Sequence, residues 1–239
     1  MDALLVALQF LTRVPLPVAV PHDDSALGRS ALYYPLVGLL LGFVLTFLAA
    51  LLSGDHNLLS AALVLSAWVL LTGGLHLDGL ADCADAWVGG FGDPQRSLQI
   101  MKDPASGPIA IVTLILVLLL KWTALATLFE SGNWWPLLMT PVLGRSAILL
   151  IMLSTPYVSP KGLASTLLQH LPVEQARNVL VISTLFSGIV FGGLPTLVAG
   201  LAALAVRQAA MQRLGGATGD VYGAAVELTE TTVLLAYIL

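Results

Sequence analysis

Residues 31–53 read ALYYPLVGLLLGFVLTFLAALLS, an unbroken run without a single charge. A helix crossing the hydrocarbon core of a bilayer, about 30 Å, takes about 20 apolar residues, so this stretch is long enough to span. Comparable runs lie at 58–75, 107–129, 134–154, 178–206 and 221–239. The run 178–206 carries Gly192, Gly193 and Pro195 near its middle and reads as two short or tilted helices, which brings the crossings to seven. The opening run 3–11 is too short to span and is expected in the membrane interface; Asp2, where a positive n-region would stand, argues against a cleaved signal. Composition agrees, since 57 % of the 239 residues are hydrophobic and 10 % are charged, against roughly a quarter charged in soluble proteins. Cys83 has no cysteine partner, and a formal net charge of −4 gives no footprint for nucleic acid. The expected fold is all-α, a polytopic membrane bundle of about six to seven transmembrane helices with short interfacial helices, in a single domain over 1–239.

Lys and Arg are retained in cytoplasmic loops. With 12–30 placed inside and seven alternating crossings, Arg13, Arg29, Arg96, Lys102, Lys161, Arg177, Arg207 and Arg213 all fall on the inner side. Lys121 and Arg145 lie within spans, and the outer loops hold no basic residue.

Polar groups at membrane depth are costly and mark sites. The richest segment is Gly73-Gly74-Leu75-His76-Leu77-Asp78-Gly79-Leu80-Ala81-Asp82-Cys83-Ala84-Asp85. In a helix, Asp78, Asp82 and Asp85 share one face at i, i+4 and i+7. Their mutual repulsion is relieved by a divalent cation, and hard oxygen ligands suit Mg2+, Mn2+ or Ca2+ better than zinc. A solvated helix face with incidental acids is the plain alternative. The second cluster, Gly215-Gly216-Ala217-Thr218-Gly219-Asp220-Val221-Tyr222-Gly223-Ala224-Ala225-Val226-Glu227-Leu228-Thr229-Glu230, puts Asp220, Gly223, Glu227 and Glu230 on one helix face after a glycine turn suited to phosphate. Both acidic helices begin on the same predicted side, so their carboxylates are expected around one metal site.

Lys102 and Asp103 stand between the clusters, the first suited to hold a phosphate and the second to join the metal or fix that lysine. Arg145, in mid-span, is expected to face a polar cavity and pair with a carboxylate or a substrate phosphate. Arg13 is a weaker candidate for the same task. His76 is open to metal or to a structural hydrogen bond, whereas His22, His56 and His170 have no companions at ligand spacing. Lys121 is expected to snorkel to the outer interface, and Trp134 and Trp135 to anchor there. Acids around Cys83 make a reactive thiolate improbable. Leu163, Leu167, Leu168 and Leu171 line one side of a surface helix between Pro160 and Pro172. These parts fit metal-assisted phosphoryl or phospho-alcohol transfer, in which the metal neutralises a pyrophosphate leaving group. An ion- or proton-coupled transporter using the same carboxylates is the competing class.

At these same residues the chain resembles the cobalamin synthase family of adenosylcobinamide-GDP ribazoletransferases over essentially its whole length. The resemblance rests on Phe10-Leu11-Thr12-Arg13-Val14-Pro15-Leu16-Pro17, Tyr34-Pro35-Leu36-Val37-Gly38, His76 to Asp82 with Asp85, Met101-Lys102-Asp103-Pro104, Gly144-Arg145, and Gly216-Ala217-Thr218-Gly219-Asp220 with Gly223 and Glu227. It implies an Mg2+-dependent enzyme of the bacterial inner membrane, its site facing the cytoplasm. The implied reaction joins adenosylcobinamide-GDP to α-ribazole or its 5′-phosphate, giving adenosylcobalamin or its 5′-phosphate and GMP. It further implies metal ligation by Asp78, Asp82, Asp85, Asp220 and Glu227, proton acceptance by Asp85, and pyrophosphate binding by Lys102 and Arg145. Arg13, His76, Gly79, Asp103 and Gly219 are the expected substrate contacts. Homo-oligomerisation and association with other cobalamin-assembly enzymes are left open.

Overall fold

The computed structural model describes residues 2–16, 23–159 and 163–239, without the side chain of Leu163. His22, Pro160 and Lys161 therefore lie outside the described residues. The chain is helical almost throughout, and among the described residues the only β-pairing is an isolated bridge between Tyr157 and Ala217. In order, the helices are α1 (Asp2–Leu11), α2 (Asp24–Ser30), α3 (Tyr34–Leu51), α4 (Asn57–Thr72), α5 (Leu75–Gly89), α6 (Pro94–Ile100), α7 (Pro108–Ser131), α8 (Trp135–Ser154), α9 (Leu163–Gln169), α10 (Val173–Phe191), α11 (Gly193–Leu214) and α12 (Gly219–Ile238).

Five helical stretches are long and apolar enough to cross a membrane: α3 with the preceding α2, then α7, α8, α11 and α12. A sixth crossing is available if α4 and α5, which meet at an 87° bend, count as one broken span. This lies at the lower end of the expected six to seven. The helix that falls short is α10, whose first turns carry Glu174, Gln175, Arg177 and Asn178. The break expected inside 178–206 is present at Gly192, whose φ of 111° lies outside the helical region.

At the centre stands α8, buried along most of its length and packed by α3, α10, α11 and α12. On α3, Gly38 and Gly42 are pressed against the α8 backbone at Pro141 and Leu138, where a side chain would have no room. The outward faces remain apolar, with Phe47, Leu70 and Ile189 among the most exposed side chains, as a lipid-facing surface requires.

The bend between α4 and α5 arises at Gly73 and Gly74, with φ of 64° and 69°, a left-handed pair that glycine adopts readily. Beyond it α5 runs across the end of the bundle: it starts against the first turn of α12, and Asp85 near its end reaches the first turn of α7. This helix carries the aspartate motif beyond the 87° bend, against the start of α12. The Tyr157–Ala217 bridge, with Val158 N–H donating to Ala217 O (2.9 Å) and Ala217 N–H to Pro156 O (2.8 Å), ties the end of α8 to the start of α12 beside it.

Candidate functional site

The two glycine-containing acidic motifs meet face to face. A Cβ on Gly79 would stand 2.8 Å from the backbone oxygen of Asp220, and one on Gly223 would stand 3.0 Å from that of His76. Larger residues would push α5 away from α12, so the short spacing of glycines in both motifs sets the closeness of the contact. Beside it opens a cavity of about 300 Å³, with His76, Asp78 and Gly79 on one wall and Gly219, Asp220 and Gly223 on the other. Thr218 caps α12, accepting from Val221 N–H (3.4 Å) and donating to Asp220 Oδ2 (3.2 Å).

Asp82 follows one turn after Asp78. Burial, followed by the charges of Asp220, Asp78 and Asp85, pushes its pKa up to about 6. No cation forms a salt bridge with Asp78, Asp82 or Asp220 among the described residues. Nor do three acidic, histidine or cysteine side chains there close into a ready-made metal cage. Burial pushes the Cys83 thiol up as well, in keeping with an inert thiol.

Other expected site residues take different places. The Asp85 carboxylate receives Gly107 N–H at Oδ2 (2.5 Å) and Ala110 N–H at Oδ1 (3.0 Å), so it caps the start of α7 and does not face the cavity. Glu227 is not brought to the aspartates: it lies two turns beyond Asp220, about 10 Å deeper along α12 at 1.5 Å per residue. There Lys121 Nζ donates to Glu227 Oε2 (2.6 Å) and Glu230 Oε2 (2.7 Å), and Arg145 pairs with Glu230 Oε1. Lys121 thus does not snorkel outward; it is 2 % exposed, with its ammonium 4.8 Å from the Trp68 ring centre. Arg145 finds the carboxylate anticipated for it but is fully sealed and does not line the cavity. Two cations and two anions from α7, α8 and α12 form a closed, neutral cluster at membrane depth.

His76 is 3 % exposed and lines the cavity, with neither ring nitrogen hydrogen-bonded. Burial, followed by the charges of Arg145 and Lys121, holds its pKa well below the usual value, so the ring is neutral. Arg13 donates its backbone N–H to Leu71 O (2.7 Å) and lays its exposed side chain against Gly73, at the turn that launches α5. Lys102 and Asp103 are exposed in the turn before α7, where Asp103 Oδ1 accepts Ala105 N–H (3.0 Å); neither lines the cavity.

Sequence reasoning missed Tyr157 and Tyr222, which stack at 6.2 Å and 18° and form part of the cavity wall. Tyr222 sits inside the second motif and was within reach, whereas nothing in the pattern near Tyr157 marks it. The partnership of Lys121 with Glu227 and Glu230 was also missed, although a cation and anions in separate spans call for one another.

The family model described as Cobalamin-5-phosphate synthase matches residues 3–238. Among curated relatives, the chain is 55 % identical over 234 residues to an adenosylcobinamide-GDP ribazoletransferase of Pseudomonas fluorescens strain Pf-5, covering 96 % of each chain. Proteins with that same name from Pseudomonas savastanoi pv. phaseolicola (53 % identity over 233 residues, 96 % of each chain) and Pseudomonas putida strain GB-1 are similar. The Pseudomonas putida protein is 54 % identical over 233 residues, covering 97 % of this chain and 96 % of its own. No solved structure matches the chain.

Proposed function

Because the chain belongs to the cobalamin-5-phosphate synthase family, as a multi-pass membrane transferase of cobalamin biosynthesis, we propose that it attaches adenosylcobinamide-GDP to α-ribazole or its 5′-phosphate with release of GMP. The observation that carries this reading is the cavity at which His76, Asp78 and Gly79 of α5 meet Gly219, Asp220 and Gly223 of α12. Its walls offer unneutralised carboxylates and a glycine-lined helix start, which suit a pyrophosphate with its counter-ion. The acids cluster at one end of the bundle and the buried charges deeper in are already paired, an arrangement that favours the enzyme over a staged ion pathway.

The residues fit Mg2+, which keeps several waters and is usually held by one or two carboxylates together with substrate phosphates, so a preformed protein cage is not required. Asp78 and Asp220 line the cavity and would hold it. When bound, the ion neutralises charge on the pyrophosphate and on the departing GMP. Asp82 is not in the cavity wall but stands one turn beyond Asp78, and with its pKa pushed up to about 6 it is the group we assign to accept the proton of the attacking ribose hydroxyl. It replaces Asp85 in that role because the Asp85 carboxylate is occupied at the start of α7. Arg13, beside the turn into α5, and Lys102, on its exposed loop, supply cations for the substrate phosphates. The neutral His76 ring, with no hydrogen bond of its own, is a donor or acceptor for the bound substrate.

The excess of Arg and Lys at the end where this cavity opens favours a cytoplasmic site in the inner membrane. GMP release by purified Asp82→Asn and Asp220→Asn proteins, measured across an Mg2+ titration with adenosylcobinamide-GDP and α-ribazole, tests the reading. Loss of release with retained helix content is expected from both. Full release from either variant removes that carboxylate from the site.

A further inference from the structure

A second cavity, of about 260 Å³, lies farther along α5 and on the other face of α12 from the aspartate site. Its floor is Val221, Ala224 and Leu228 of α12, with α5 from Leu80 to Trp87 and Thr113 of α7 on one side and the last turns of α11, from Val206 to Leu214, on the other. Both α7 and α11 pack on α12, yet they make no extended contact with each other, so the gap between them faces the bilayer. From Gly219 at the start of α12 to Leu228 is nine residues, about 14 Å at 1.5 Å per residue, which is half of a core about 30 Å thick. The lining is almost wholly apolar and gives a water molecule few partners, so hydrocarbon is its natural filling.

The rim is cationic and aromatic. The Arg213 guanidinium lies 4.2 Å over the Trp87 ring, and Arg96 lies 5.0 Å over Phe91. Neither arginine forms a salt bridge with a carboxylate among the described residues. Phe91 is 79 % exposed and Val88 and Trp87 are also exposed, as in an amphipathic segment resting at headgroup level. A guanidinium stacked on a ring keeps its N–H edge free for a phosphate.

We propose that this groove is a binding site for one anionic glycerophospholipid, with an acyl chain between α7 and α11 and its phosphate on Arg213. Arg96 adds attraction at the same level. The site is separate from the cavity assigned to chemistry. An occupied groove would brace α5 from the side opposite the substrate, through Leu80, Cys83 and Ala84.

The test is native mass spectrometry of detergent-purified protein offered equal amounts of dioleoyl phosphatidylglycerol and dioleoyl phosphatidylcholine. Wild type is expected to retain one phosphatidylglycerol in preference. Arg213→Gln should lower that preference about tenfold, the factor corresponding to about 1.4 kcal/mol of lost charge-assisted contact. Arg213→Lys, which keeps the charge but loses the stacked guanidinium edge, should fall between wild type and Arg213→Gln, and Ala209→Phe, which fills the groove, should retain neither lipid. Circular dichroism of each variant confirms that helix content is unchanged. The proposal is overturned if Arg213→Gln keeps the wild-type preference or if Ala209→Phe binds phosphatidylglycerol normally. Displacement of the lipid by adenosylcobinamide-GDP would also overturn it, by assigning the groove to substrate.

Discussion

Replacing Lys121 by Met tests whether the charges inside the bundle are structural. The ammonium stands 2.6 Å from Glu227 and 2.7 Å from Glu230, and the lysine side chain is 3 % exposed. After the substitution Glu230 keeps Arg145, but Glu227 retains no cation. Leaving one buried charge without its partner costs about 3–5 kcal/mol. The lost contact with Trp68 adds about 0.5–2 kcal/mol. For a chain of this size 1 kcal/mol shifts the unfolding midpoint by about 2–4 °C, so the ion-pair loss alone should lower it by about 6–20 °C. The assay is thermal unfolding in detergent micelles followed by circular dichroism. The double variant Lys121→Met with Glu227→Gln should recover at least half of the loss, because the orphaned carboxylate is then neutral. A single variant within about 2 °C of wild type would refute the reasoning, since less than 1 kcal/mol would then be at stake. A double variant no better than the single would equally show that the stranded charge is not the cause. GMP release should return together with stability in the double variant. Recovered stability without release would place Glu227 in the chemistry.

Without Mg2+, Asp82 makes stability depend on pH. Its folded pKa of about 6 lies above the ordinary aspartate value of 3.8, so the folded state binds the extra proton and stability should rise as pH falls from about 6 toward 4. Asp82→Asn should flatten that slope, as unfolding midpoints in chelator will show; an unchanged slope assigns it to other groups. Asp85→Ala should cost about 0.5–2 kcal/mol through the lost cap of α7 while sparing GMP release, and an abolished release with intact helix content would return Asp85 to the chemistry. Gly223→Leu should destroy GMP release by driving α12 away from His76 and Gly79, and wild-type kcat and KM in this variant would show that the close contact is not needed.

The crossing segments were legible because lipid leaves uninterrupted apolar runs, but the run 58–75 was read straight through Gly73-Gly74, where the chain bends by 87°. The meeting of His76, Gly79, Asp220 and Gly223 was legible as two acidic motifs starting on one side. What spacing could not tell was depth. Asp220 and Glu227 share a helix face, but two turns separate a residue at the bundle's end from one sealed within it. In the same way Asp85 continues the aspartate periodicity while the first turn of α7 claims its carboxylate. Whether a charge serves substrate or backbone depends on partners brought in from other helices, and the pattern along one helix does not contain them.

The closed charge cluster also constrains how the protein is made. Lys121 and Arg145 belong to helices synthesised well before residues 227 and 230, so during translation both cations enter the membrane region ahead of Glu227 and Glu230, their anionic partners among the described residues. Until α12 is made, neither cation has the carboxylate that it pairs with in the folded bundle. Chains that stop short of Glu227 would carry two permanently orphaned cations, and a pulse-chase comparison should find them degraded far faster than the full-length protein. Synthesis through Glu230 is therefore what closes the cluster.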